Sequence, residues 1–225
     1  MSIMASGSTR HPIFARFYAK VAGPALDRAG VAEHRKRLLT GLSGEVIEIG
    51  AGNGLNFPYY PAEVRRVVAV EPEPQLRALA REAARAAPVP VEVVDGRAEQ
   101  LPAADGSFDA AVVCLTLCSI ADPGAALAEL YRVLRPGGQL RFFEHVRAGS
   151  PAMRRVQRFV DATFWPLLCG GCHTGRDTQS AITAAGFTLT EVDRFPFPAT
   201  KIPSPAATHI LGTATREHSD QAGPQ

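Results

Sequence analysis

EVIEIGAGNGLNF, residues 45–57, is a short apolar run that ends on a glycine-rich turn. Val46, Ile47 and Ile49 suit a strand. Gly50, Gly52 and Gly54 follow at alternate positions. Glycine loses more backbone freedom on folding than any other residue, so this cluster would weaken either a helix or a strand. Its use is to let something approach the backbone closely.

Outward from this turn the chain alternates strands and helices. RVVAVEP (66–72) reads as a second strand, and EPQLRALAREAARAA (73–87) as a helix ended by Pro88. VPVEVVDG (89–96) is a third strand. SFDAAVVCLTL (107–117) is a fourth, nearly all apolar, as a central strand covered on both faces should be. DPGAALAELYRVLRPGG (122–138) is a helix with Asp122 as N-cap, Pro123 in its first turn and a Pro-Gly-Gly stop. QLRFFEHV (139–146) is a fifth strand, and 150–175 reads as less regular. A helix near 176–185 leads to two last strands, FTLTEVDRFP (187–196) and THILGTATRE (208–217). This alternation predicts an α/β fold, a parallel sheet with helices on both faces. Before it, Pro12 to about Leu42 has helical spacing with a break at Gly30, and residues 1–9 and 216–225 read as frayed ends.

In such a sheet, ligands bind beyond the carboxyl ends of the strands where strand order reverses. An acidic residue about 20 positions past the glycines is expected to grip ribose hydroxyls. Glu71, closing the second strand, fits. The Gly-x-Gly-x-Gly spacing differs from the dinucleotide fingerprint, whose third glycine comes three residues after the second. LNFPYYP (55–61) is also a poor helix start beneath a pyrophosphate. Both facts count against a nicotinamide oxidoreductase, which stays as an alternative beside a catalytically silent binder.

Composition bounds the rest. The chain has 225 residues, 46% hydrophobic and 20% charged, with net charge +2, which is globular and gives no electrostatic case for nucleic acid. Arg35-Lys36-Arg37 and the group Arg154, Arg155 and Arg158 read as solvated helix faces. No run approaches the roughly 18 apolar residues of a membrane span, and the N-terminus lacks a signal-peptide core, so the expectation is a soluble cytoplasmic protein with no integral membrane segment. The four cysteines are Cys114, Cys118, Cys169 and Cys172. CGGC (169–172) has redox-pair or half-zinc spacing, yet the segment before it reads as helix and Cys114 and Cys118 lie in an apolar run. No metal is therefore expected, and Cys118 and Cys172 read as small buried hydrophobes.

Taken together, VIEIGAGNG (46–54), VVAVEP (67–72), DGRAEQLPAADGSFDAAVV (95–113) and LAELYRVLRPGGQL (127–140) resemble, in order, the motifs of class I S-adenosylmethionine-dependent methyltransferases. LTLCSI (115–120), FFEHV (142–146), DATFWPLLCGGCHTGRDT (161–178) and THILGTA (208–214) are similar to the methyltransferase-like enzymes that methylate alkyl thiols. Those carry an N-terminal membrane anchor; this chain looks like a soluble bacterial-type relative. The resemblance implies a Rossmann-like sheet of seven strands, the last antiparallel, with residues 1–41 as a helical lid, 42–215 as the cofactor-binding domain and 216–225 as a tail.

It also implies site residues. Glu48, Gly50, Gly52, Gly54 and Asn56 would line the methionine part of S-adenosylmethionine. Glu71 and Pro72 would meet the ribose, Arg97 and Ala98 would flank adenine, and Leu115 would contact the cofactor through its backbone. An aspartate is usual where Arg97 stands, and arginine has no acceptor, so stacking, Glu99 or a backbone carbonyl would have to serve the adenine. The acceptor is expected to be a small molecule held near Phe14, Tyr18, Thr116, Cys118 and Trp165, with Phe17 and Phe164 as further lid aromatics. His145, at the end of the fifth strand, and His173 are the candidate catalytic residues, each with a structural role as the alternative. Glu144 would support His145 or cap a neighbouring loop, Asp177 would cap a helix, and His209 would be structural. A thiol acceptor is the first reading, and O- or N-methylation of a natural product, quinone or lipid head group the second. Oligomeric state is not legible.

Overall fold

The structure is a computed structural model that describes residues 12–198 and 203–217. Seven strands, β1 (Gly44–Ile49), β2 (Val64–Val70), β3 (Val91–Val94), β4 (Phe108–Cys114), β5 (Leu134–His145), β6 (Phe187–Pro196) and β7 (Thr208–Arg216), form one sheet. Their order is β3-β2-β1-β4-β5-β7-β6. β1 to β5 pair in parallel, and β7 runs antiparallel between β5 and β6. The last strand is thus antiparallel, as expected.

Strand periodicity divides the core. Ile47, Ile49, Val68, Val70, Ala111 and Val113 pack on one face with Leu127, Leu130 and Ile182. Val46, Val67, Ala69, Ala110 and Val112 pack on the other with Leu38, Leu39 and Ala80. Both faces are covered, which is why the central strands are almost wholly apolar.

The N-terminal stretch consists of α1 (Pro12–Phe17), α2 (Gly23–Leu26) and α3 (Ala32–Leu39), with π-helical turns at Tyr18–Ala22 and Asp27–Val31. The break falls at Gly30, whose φ is 111°. The side chains of Phe14 and Tyr18 lie outside the described residues, as does the tail beyond 217. α4 (Pro74–Ala84) starts at Glu73, and α5 (Pro123–Val133) at Asp122, whose carboxylate accepts the Ala125 N–H at 2.9 Å.

Three readings are corrected. β5 begins at Leu134, so the Arg-Pro-Gly-Gly segment lies in the strand, and the register with β4 shifts between Phe108 and Ala110 to admit it. The segment after 150 is a regular helix, α6 (Pro151–Ala162), started by the Ser150 hydroxyl accepting the Met153 N–H at 3.2 Å. It is followed by α7 (Trp165–Leu168) and α8 (Thr178–Ala184), the latter capped by Asp177. Arg35 is not solvated: it is 4% exposed, on the same face of its helix as Leu38 and Leu39.

β1, β2, β4 and β5 all end at one edge of the sheet, and β1 sits between β2 and β4. Gly50, Glu71, Leu115 and Val146 therefore emerge together at the point where strand order reverses.

Candidate active site

Gly50, Gly52 and Gly54 have φ of 64°, 60° and 83°, the left-handed region that L side chains disfavour. A Cβ on Gly50 would also stand 2.3 Å from the Thr116 methyl, so the β1 turn and the loop after β4 touch. The Gly52 N–H donates to Glu71 at 2.8 Å, and the second Glu71 oxygen accepts the Glu73 N–H at 2.8 Å. Each oxygen keeps a lone pair for a further donor. Asn53 Oδ1, in the middle of the turn, is buried with no hydrogen-bond partner among the described residues.

Behind the turn runs a buried polar chain. Arg35 donates to Asn56 Oδ1 at 2.8 Å, the Asn56 amide to Glu48 at 2.8 Å, and the Tyr60 hydroxyl to Glu48 at 2.7 Å. Burial pushes the Glu48 carboxyl up to about 7, against the pull of Tyr60, Asn56 and Arg35. Burial likewise lifts Glu71 to about 7, against the Glu73 and Gly52 N–H groups. A cationic ligand would favour the ionised form of both.

The loop after β4 opens on Leu115, a non-glycine residue at φ 55° whose N–H donates to Phe143 O at 2.7 Å. Glu144, fully buried on β5, accepts the backbone N–H groups of Thr116 at 2.7 Å, Leu117 at 2.9 Å and Cys118 at 3.4 Å. Burial raises its pKa, and these N–H groups oppose the rise.

Beyond this loop, Cys118, His145 and Cys172 converge. His145 Nε2 is 3.1 Å from Cys172 Sγ, and the Trp165 indole N–H donates to the same sulfur at 3.2 Å. The hydrogen bond with Cys118, then burial, pushes the Cys172 thiol up. Burial alone would lower the His145 pKa, but Cys172 and the Glu144 carboxylate reverse this and raise it. His173 is tied down by its own turn: Nδ1 lies 2.8 Å from Gly171 O, and its N–H donates to Cys118 O at 2.9 Å.

Comparison with known proteins decides what this arrangement belongs to. Residues 47–142 match the family described as a methyltransferase domain. The chain is 35% identical to human thiol S-methyltransferase TMT1B over 183 residues, covering 79% of this chain and 74% of that protein. It is 34% identical to human thiol S-methyltransferase TMT1A over 163 residues, 70% of this chain and 66% of that one. The fold matches an S-adenosylmethionine-dependent methyltransferase structure from Thermotoga maritima, with a TM-score of 0.67, 23% identity and coverage of 91% of this chain and 99% of that one.

This chain belongs to the class I S-adenosylmethionine-dependent methyltransferases. The residues present fit that cofactor. Asn53 Oδ1 and the Glu71 carboxylate present acceptors at the turn, and the buried acids Glu48 and Glu71 suit a cation.

In this methyltransferase, Gly52 meets Glu71, Gly50 meets Thr116 beside Leu115, and Glu48 and Asn56 bond to each other behind the turn that Gly54 continues. Arg97 is half exposed and pairs with Glu99 at 3.5 Å, and the adjacent Ala98 packs on the core. Phe17 and Phe164 are exposed. His209 is structural: it packs against Phe143, Phe195 and Phe197, and burial lowers it to about 4. Asn53, Tyr60 and Arg35 were missed. Asn53 sits inside the quoted motif, and Arg35 could have been found from its place among the apolar positions of its helix.

Proposed function

We propose that the methyl acceptor is a small thiol and the product a methyl thioether, formed in the cytoplasm. The observation that carries this is the 35% identity to a thiol S-methyltransferase over 79% of the chain. Glu71 would hold the ribose hydroxyls, with Pro72 beside it. Asn53, Glu48 and the glycine turn would hold the methionine end, Arg97 and Ala98 would border adenine, and the Leu115 backbone would fix its position. The residues 1–41 would act as a lid over a catalytic domain spanning 42–215.

S-adenosylmethionine supplies an electrophilic methyl group on a sulfonium sulfur. The protein's contribution is to hold the acceptor in line with that group, a proximity effect. Thr116 meets Gly50, while Trp165 and Cys118 meet at Cys172, and the three would line the acceptor side. A thiol with a pKa of about 8.5 is partly ionised near neutral pH, so no strong base is demanded. His145 and His173 would orient or receive the acceptor proton, and the contacts of both rings make orientation the better role.

The test is transfer of labelled methyl to a panel of alkyl and aryl thiols, phenols and amines. Labelled thioether from thiols alone, lost in Gly52→Val, is the expected result. Transfer only to phenols or amines would overturn the thiol reading and leave the methyltransferase standing.

A further inference from the structure

Cys118, His145 and Cys172 come from three separate segments: the loop after β4, the last residue of β5 and the turn after α7. Their ligand atoms all lie within 4.8 Å of one another. None is on the surface: Cys118 is 2%, Cys172 7% and His145 9% exposed. A tetrahedral zinc ion with bonds of about 2.3 Å to sulfur and 2.0 Å to nitrogen sets neighbouring ligand atoms roughly 3.5–3.8 Å apart. Small side-chain adjustments would bring this trio to that spacing.

The geometry points to a zinc site made by Cys118, His145 Nε2 and Cys172, with a fourth position open to the acceptor thiolate. The ion site stands on the side chains alone; the identity of the fourth ligand rests on the thiol reading above.

Four observations support it. Two sulfurs and one imidazole are a donor set that selects soft ions such as zinc. Three protein ligands with one open position is the pattern of catalytic zinc, whereas structural zinc takes four. The Trp165 indole N–H already donates to Cys172 Sγ, the kind of outer hydrogen bond that steadies a metal-bound thiolate. Both cysteines are also held by their backbones: Glu144 accepts the Cys118 N–H, the Cys118 carbonyl accepts the His173 backbone N–H, and the Cys172 N–H donates to Cys169 O at 3.1 Å.

The charges balance. On binding, both thiols release their protons to solvent, and neutral His145 coordinates through Nε2. Two thiolates then neutralise the dication. An acceptor thiol would displace water, lose its S–H proton to solvent and leave one negative charge on the centre. Arg176, which donates to Leu117 O at 2.7 Å and feels the charge of Cys118 and Cys172, is the compensating cation. The bound acceptor would thus be held as thiolate below its free pKa.

The experiment is titration of the full chain, stripped with chelator under reducing conditions, with Co²⁺ as the spectroscopic probe. The expected result is one equivalent bound, with a thiolate-to-cobalt band in the near ultraviolet and tetrahedral intensity in the visible. Loss of an outer-shell partner alone typically weakens metal sites about 10–100-fold. Cys118→Ala and His145→Gln should therefore weaken binding by at least about tenfold, and Cys169→Ala should leave it unchanged. Cys118→Ser replaces any variant that fails to fold by circular dichroism. No thiolate band, a band that survives Cys118→Ala and Cys172→Ala, or one lost in Cys169→Ala would overturn the site. Adding an alkyl thiol to the cobalt protein should change the visible spectrum; an unchanged spectrum would overturn the open fourth position. Neither readout uses methyl transfer, so failure of the thiol reading itself is seen separately in the labelled-methyl panel.

Discussion

The Glu144 carboxylate accepts the backbone N–H of Thr116 at 2.7 Å and, through the same oxygen, that of Leu117 at 2.9 Å. One buried side chain on β5 thereby shapes the loop that follows β4 and carries Leu115 and Cys118. Glu144→Ala leaves these N–H groups unsatisfied in the core. The expected cost is about 1–3 kcal/mol of stability. Cofactor affinity should fall with it, because the loop borders Gly50. Chemical denaturation together with isothermal titration checks both, and an unchanged midpoint would refute the role.

Gly50 is required twice over, by its φ of 64° and by the Thr116 methyl 2.3 Å from where its Cβ would stand. Gly50→Ala should weaken cofactor binding by at least about tenfold. Adding Thr116→Gly should recover only part of it, because the left-handed backbone alone costs about 1–2 kcal/mol for a residue with a Cβ. Full recovery in the double variant would show that the clash was the whole effect.

Glu71 titrates near 7 in the free protein because it is buried. In the proposed ribose contact, only its carboxylate form keeps every acceptor for the hydroxyls. Through Glu71 alone, cofactor affinity should therefore fall as pH drops below 7, by up to about tenfold per unit. Glu71→Gln should bind weakly with a flatter pH profile, Glu48 supplying what dependence remains. A binding titration from pH 5.5 to pH 8.5, run over about three units, is the check.

His209 gives a pH signature in stability rather than in binding. Burial lowers its folded pKa from 6.5 to about 4. Between those values the unfolded chain binds the extra proton, so stability rises with pH across that window and is fully present above 6.5. The contribution is about 3 kcal/mol, lost as pH falls from 6.5 towards 4. Glu48 and Glu71, whose folded pKa values are raised, work the other way between 4.5 and about 7. The effect is therefore isolated by comparing wild type with His209→Phe. The variant's acid unfolding should show a shallower decline over the same pH range, and parallel curves would reject the assignment.

What the sequence determined by itself was what short-range chemistry controls. Hydrophobic runs placed the strands, Pro and Asp placed the start of α5, and the glycine triplet marked the left-handed turn after β1, because each depends on neighbours in the chain. The start of α6 was readable in Ser150-Pro151 on the same grounds. Tertiary structure decided which side chains meet. Cys172 has Cys169 as its nearest cysteine in sequence, yet its sulfur meets His145, Trp165 and Cys118, because β4 and β5 are adjacent in the sheet and the turn after α7 folds back across their carboxyl ends. Arg35 lies in a basic run, but helix packing turns it into the core, where Asn56 accepts its hydrogen bond. Glu144 caps a loop 28 residues away in sequence. Such pairings depend on strand order and on which face each helix buries, and these are set by the packing of the whole core.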